Sequence, residues 1–237
     1  MDGRSVARKI YDILWKVKQM RLFHVDSSAR KQGSISRDLT AYFVEELRRH
    51  VRDLEVDYLD LATDPLPHVT EMFTAAMFTP PPQRTDAMRE ALKQGDKVAA
   101  RMMSADALLF GVPLYNFGMP STFKAFIDQV VRPGVTHVAE ADGTISGKMG
   151  AHRALVVSTR GLDFSPGAAW EDMDGLLPGI RAVFKFIGLK EAAYVNVQPL
   201  LVSGEERKQQ AISEARVELS SIAGKWSLRT PDMSEVA

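Results

Sequence analysis

An open, doubly wound α/β fold is predicted by two observations. From Met20 onward, short β-like runs alternate with amphipathic helical stretches. One of those runs, Ala107-Leu108-Leu109-Phe110-Gly111-Val112, is apolar throughout, as a strand buried on both faces requires. Strands separated by helices imply a five-stranded parallel sheet with helices on both faces. The order 2-1-3-4-5 puts the first, third and fourth strands side by side at the point where the winding reverses.

The elements follow in order. Arg21 to Asp26 reads as the first strand, and the amphipathic stretch Ser36 to Arg52 as the helix after it. Leu54 to Leu59 is the second strand. Ala62 to Arg84 is a long connection carrying Pro65, Pro67 and the run Pro80-Pro81-Pro82, and connections of this length inside a compact domain are usually functional or mobile. Met88 to Ser104 recurs in apolar residues at three- and four-residue steps and leads into the third strand, Ala107 to Val112. The helix Thr122 to Val131 precedes a fourth strand, Ala154 to Ser158. Met173 to Ile187 reads as a helix that stops at Gly188, a suitable C-terminal cap. Tyr194 to Val197 is the fifth strand, and Glu205 to Ala223 the closing helix. The main domain spans residues 20–224, with residues 225–237 read as a tail. Residues 1–19 read as an extension outside the core, although Val6, Ile10, Ile13, Leu14 and Val17 lie near the spacing of a partner-binding helix.

Composition removes several functions. Lys plus Arg and Asp plus Glu are 30 each, so no long-range field favours nucleic acid or an anionic membrane. Without cysteine there is no disulfide, thiolate zinc site or cysteine-held cluster, which suits a reducing, cytoplasmic setting. No apolar run approaches the ~18 residues a membrane helix needs, and the first nineteen residues carry no signal-peptide core. The histidines are scattered, with no H-E-x-x-H, and a G-x-S-x-G elbow is absent, which argues against a metal site and a hydrolase.

Sheets of this type bind ligands beyond the carboxyl ends of their strands, and three loops meet there. The first, Ser27 to Ser36, runs into a helix whose unpaired N–H groups suit a phosphate; Ser28, Ser34 and Ser36 add hydroxyls. Ser34 or Ser36 capping the helix is the competing reading. The loop is neither G-x-G-x-x-G nor a P-loop, which argues against a dinucleotide or triphosphate. The second loop, Pro113-Leu114-Tyr115-Asn116-Phe117-Gly118, sets two flat rings about one amide. That arrangement grips a planar heterocycle or, alternatively, packs at a subunit interface. The third, Thr159-Arg160-Gly161-Leu162-Asp163, lets backbone approach a ligand at Gly161 and offers the Arg160 charge, though an Arg here also serves as an ordinary salt-bridge partner.

Together these residues resemble the FMN-dependent NADH-azoreductase family of flavodoxin-like quinone reductases, over Met20 to about Ala223. Pro113-Leu114-Tyr115-Asn116-Phe117 is similar to that family's P-M-Y-N-F flavin loop. Pro133-Gly134-Val135-Thr136 resembles its G-V-T segment, Thr159-Arg160-Gly161 its S-R-G-G turn, and Phe186-Ile187-Gly188 its F-I-G helix end. Leu162 departs from the second glycine of the turn, and His137 stands where many relatives carry an aromatic residue.

The resemblance implies a flavodoxin-like fold and non-covalent FMN held by Ser28, Ser34, Ile35, Ser36, Leu114, Tyr115, Asn116, Phe117, Thr159, Arg160, Gly161 and Leu162. It further implies NADH or NADPH as donor, a quinone or azo compound as acceptor, ping-pong two-electron hydride transfer, and a homodimer with the site at its interface. His137 is a candidate proton donor or substrate contact, since its side chain titrates near neutrality. A flavodoxin-like electron carrier and a non-catalytic interaction module are the alternatives.

Overall fold

A computed structural model describes residues 20–228 of the chain; the expected extension over residues 1–19 and the end of the expected tail lie outside the described residues. Five strands form one parallel sheet: β1 (Met20–Asp26), β2 (Leu54–Asp60), β3 (Ala107–Pro113), β6 (Arg153–Thr159) and β7 (Glu191–Val197), in the order β2-β1-β3-β6-β7. That is the expected 2-1-3-4-5 winding. Its register aligns Asp26 with Asp60 on one side and Gly111 on the other, and Pro113 with Thr159, so the three loops of interest leave one crest.

Helices cover both faces. On one face, α1 (Ile35–His50) lies beside the terminal helix α6 (Gly204–Leu228), and Leu39, Phe43, Leu47, Ala215 and Leu219 bury against Leu109, Leu155 and Val157 of the sheet. On the other, α3 (Asp86–Met103), α4 (Ser121–Val130) and α5 (Leu177–Phe186) pack Val98, Phe123, Phe126 and Phe184 on Phe110 and Val156. β3 is buried at every position, as its unbroken apolar run requires. Gly111 is obligatory there: a Cβ would stand 2.2 Å from Asp26 Oδ1, so only glycine lets that carboxylate pack between strands.

Several elements differ from expectation. The long connection contains α2 (Glu71–Phe78), started by the Thr70 hydroxyl accepting from Phe73 N–H at 3.1 Å and held by burial of Phe73 and Ala76 with Leu92. A short hairpin, β4 (His137–Ala139) and β5 (Ile145–Gly147), precedes β6; its turn has Gly143 at φ +84°, and Asp142 accepts from Thr144 N–H at 2.9 Å. Its strands are three residues long, too short to show alternation. α5 begins at Leu177, later than the expected Met173, because Asp174 accepts from Leu176 N–H at 2.9 Å and sets a separate turn before it. α6 continues past Ala223 to Leu228, so the expected tail starts inside a helix. Trp226 meets Phe43 edge-on at 5.2 Å, and its carbonyl accepts from Arg153, contacts that sequence spacing does not reveal.

Candidate functional site

The first loop is tied to β3 before it reaches α1: Ser27 donates to the Gly111 carbonyl through both N–H (3.0 Å) and Oγ (2.9 Å). Gly33 then turns left-handed at φ +62°, and Ser34 takes the N-cap position with extended dihedrals. Its hydroxyl does not cap. Ser34 Oγ lies 3.2 Å from Ser36 Oγ, both side chains are buried, and neither satisfies the helix start. The alternative of a simple capping serine is therefore set aside by geometry. The first amides of α1 lack intrahelical acceptors, and two buried hydroxyls stand over them. Such an arrangement suits an anion.

The second loop forms a tight turn closed by reciprocal bonds between Tyr115 and Gly118, each 3.0 Å. Between them Asn116 and Phe117 both adopt positive φ, +45° and +68°. Two consecutive left-handed residues that are not glycine carry real conformational strain, of the kind that clusters at ligand sites. The strain leaves the Asn116 and Phe117 N–H groups outside the turn's own bonds and both side chains exposed. Gly175 N–H donates to the Phe117 carbonyl at 2.8 Å, and the Phe164 ring meets the Phe117 ring at 6.4 Å, which holds the turn from the far side.

In the third loop Arg160 takes the alternative salt-bridge role, but as a buried side chain. Its guanidinium is turned into the protein, 1% exposed, where it donates to Asp174 (3.0 Å), Ser158 Oγ (2.7 Å) and Asn196 Oδ1 (3.2 Å). Burial lowers its pKa, against the raising influence of Asp174. The Arg160 charge is thus spent on pinning β6, β7 and the turn before α5 together, and its backbone is engaged as well: its N–H donates to the Val197 carbonyl at 3.0 Å and its carbonyl accepts from Leu200 N–H at 3.1 Å. A Cβ on Gly161 would stand 2.6 Å from Leu201 Cδ1, so only glycine lets Leu201 pack against the loop here, and the Gly161 carbonyl accepts from Leu201 N–H at 3.0 Å.

A cavity of about 580 Å³ joins the loops. Ser28, Ser34 and Ile35 line one end, Leu114 and Tyr115 the middle, and Thr159, Arg160 and Gly161 the other wall. Ser36, Asn116, Phe117 and Leu162 do not line it. The cavity also takes in Arg30 and Gly33 of the first loop and residues beyond the three loops: Leu200 and Leu201 after β7, and Lys208, Gln209 and Ile212 on α6. Nothing local marks the last three, which belong by position to a solvated helix.

His137 is not part of this cavity. The hairpin that carries it precedes β6, and Met149 N–H donates to the Ile187 carbonyl just ahead of β7, so the hairpin sits at the amino end of the strands. There the His137 ring meets Phe186 edge-on at 4.6 Å, Nδ1 has no protein partner, and burial lowers the pKa. The candidate His137 thus lies apart from the cavity that the three loops form. A second cavity, of about 470 Å³ between α2, α3 and α4, contains no residue of the three loops. No group of acidic and histidine side chains among the described residues is arranged to hold a metal ion.

A parallel 2-1-3-4-5 sheet with a serine-bearing helix start and a strained aromatic turn at its switch point has the architecture of a flavodoxin-type protein. The chain belongs to the Flavodoxin-like fold family, whose sequence model matches residues 20–222. It is 38% identical over 211 residues to FMN-dependent NADH:quinone oxidoreductase 1 of Trichormus variabilis, covering 89% of this chain and 99% of that protein. It is 35% identical over 207 residues to the FMN-dependent NADH:quinone oxidoreductase of Nostoc punctiforme, covering 87% and 100%. Among solved structures, an azoreductase from Bacillus anthracis superposes with a TM-score of 0.80 at 20% identity, over 87% of this chain and 99% of that one. An FMN-dependent NADH-azoreductase of the same species, solved in complex with FMN, superposes at 0.75 with 19% identity, over 86% and 99%. These two structures bear on the fold.

Proposed function

We propose that the chain is an FMN-dependent NAD(P)H oxidoreductase that reduces quinones and azo compounds by a ping-pong, two-electron cycle. The observation that carries this reading is one cavity lined by Ser34 and Tyr115, with the Ser36 hydroxyl 3.2 Å from that of Ser34 and the strained Asn116-Phe117 turn following Tyr115. The names of the two relatives, each matched over nearly its whole length, support the cofactor, the donor and the quinone acceptor.

The residues present fit FMN. Ser34, Ser36 and the first N–H groups of α1 would hold the phosphate, with Ser28 at the same end. The N–H groups of Asn116 and Phe117, free of the turn's own bonds, would face the polar edge of the ring system, and Gly161 would bring backbone close on the other wall. FMN, when bound, supplies the redox chemistry, accepting hydride from a nicotinamide and delivering it to an electron-poor acceptor. The chain's own part is to bind, orient and screen. Leu114, Leu200 and Leu201 give the cavity apolar walls that limit water.

A homodimer with sites at its interface belongs to the same reading. The exposed apolar residues Met72 and Phe78 of α2 and Ile145 of the hairpin offer surface for it. His137, outside its own cavity, enters the chemistry only if a partner subunit brings it to the opposite site. We assign the enzyme to the cytoplasm, where reduced nicotinamide is supplied.

The test is anaerobic mixing of FMN-reconstituted protein with NADH or NADPH, followed by menadione or methyl red. Bleaching of the yellow colour by the nicotinamide and its return with the acceptor are expected. A yellow protein that neither nicotinamide bleaches is an electron carrier, and a protein without FMN affinity is an interaction module.

A further inference from the structure

Behind the anion cradle lies a polar cluster that the chemistry above does not use. Arg37, in the first turn of α1, spreads its guanidinium over four acceptors. Nη2 donates to the Ser28 carbonyl at 2.6 Å and to Asp60 Oδ1 at 2.5 Å, Nε to the Arg30 carbonyl at 3.0 Å, and Nη1 to Tyr58 Oη at 2.9 Å. Tyr58 Oη donates onward to Asp26 Oδ2, also 3.0 Å, and Asp26 Oδ1 accepts from Thr40 Oγ1 at 3.0 Å. Arg37 is largely buried and lines no part of the cavity, whereas Ser28 and Arg30 both do.

A loop that holds an anion must aim N–H groups inward and keep C=O groups out, because each inward carbonyl opposes a phosphate dianion. Arg37 engages the carbonyls on both flanks of Ala29 from the side away from the cavity. An ion pair with Asp60 alone would use one edge of the guanidinium. Here Nε and Nη2 also reach the two loop carbonyls while Nη1 reaches Tyr58, a geometry that the planar fork of Arg permits and a Lys ammonium does not reproduce. Burial opposes charge on both partners. Even so, the hydrogen bond to Asp60 and the charge of Asp26 raise the Arg37 pKa, and the Arg37, Ala62 and Thr63 hydrogen bonds lower that of Asp60, so both stay ionised.

We infer that Arg37 is a positioning residue for the phosphate end of the cofactor site, turning the Ser28 and Arg30 carbonyls out of the cradle and anchoring the loop to β2 through Asp60. The inference rests on the FMN reading above and extends it to a residue that touches no ligand.

The experiment compares the dissociation constants of FMN and of riboflavin, which lacks the phosphate, for wild-type apoprotein, Arg37→Gln, and Arg37→Gln/Asp60→Asn. The double variant removes both charges and leaves neither Arg37 nor Asp60 unpaired. Both variants are expected to bind FMN about tenfold or more weakly while riboflavin changes by less than about threefold. A merely structural role would weaken the two ligands alike. An FMN-to-riboflavin ratio at the wild-type value in either folded variant overturns the assignment, as does loss of the fold in both, since a residue that only positions a loop leaves the sheet intact. Wild-type protein that does not prefer FMN to riboflavin would instead remove the phosphate cradle itself, and this inference with it.

Discussion

The phenolic oxygen of Tyr115 lies 3.4 Å from Ser28 Oγ and accepts from Ala29 N–H at 3.2 Å. One side chain from the aromatic turn thereby bridges to the anion loop, across strands β1 and β3 that are neighbours in the sheet. The two halves of the cavity are coupled before any ligand arrives. Tyr115→Phe keeps the ring and removes the bridge. It is expected to weaken FMN binding by about 0.5–1.5 kcal/mol, the net worth of an ordinary hydrogen bond. Amide hydrogen exchange should quicken at Ala29 and its neighbours. Unchanged exchange there would show that the bridge does not order the loop.

Ser34 and Ser36 should behave as ligand donors and not as helix caps. Each Ser→Ala replacement is expected to weaken FMN binding by about 1–3 kcal/mol, the range for hydrogen bonds to a charged group. Thermal stability of the apoprotein should barely move, because neither hydroxyl serves the helix backbone. Isothermal titration and a melting curve on the same samples separate the two roles. Large losses of apoprotein stability would return these serines to the capping role.

Arg160 and Asp174 make the opposite prediction. Their bond is buried at the arginine end, so Asp174→Asn or Arg160→Met strands an uncompensated charge or leaves polar groups unpaired. Removing one partner of such a pair costs about 3–5 kcal/mol. Urea unfolding should register that loss in the apoprotein, with FMN binding affected only through the displaced loop. Wild-type stability in both variants would contradict the burial of the guanidinium.

Why some of this was legible in the sequence and some was not follows from the range of the interactions involved. The run from Ala107 to Val112 announces a doubly buried strand by composition alone, and the alternation around it dictates the winding. The cavity's serine and aromatic loops are local motifs, readable as short strings. The direction of the Arg160 side chain is not local. It depends on Asp174 and Asn196, which are distant in sequence and meet only when β6, β7 and the turn before α5 assemble. Arg37 is hidden for the same reason: it sits on α1 while its partner Asp60 ends β2. α2 escaped notice because its stability comes from Phe73 and Ala76 packing on Leu92, not from a long amphipathic pattern.

His137 offers a pH test. Burial depresses its folded pKa below the ordinary 6.5, so the unfolded chain takes up this proton more readily than the native protein. Its contribution to stability is therefore full above about pH 6.5 and is lost as pH falls through the depressed folded value. His137→Asn should flatten that part of the stability profile, and an NMR titration of the ring should give a midpoint below 6.5. A midpoint above that value would mean that a carboxylate faces the ring.

The central claim is decided by a crystal structure of the protein grown with FMN. The account predicts phosphate density against Ser34, Ser36 and the first amides of α1, with the ring system beside Tyr115, Asn116 and Phe117 and over Gly161. Density for FMN anywhere else, or a carboxyl crest that stays empty at saturating FMN, would contradict it.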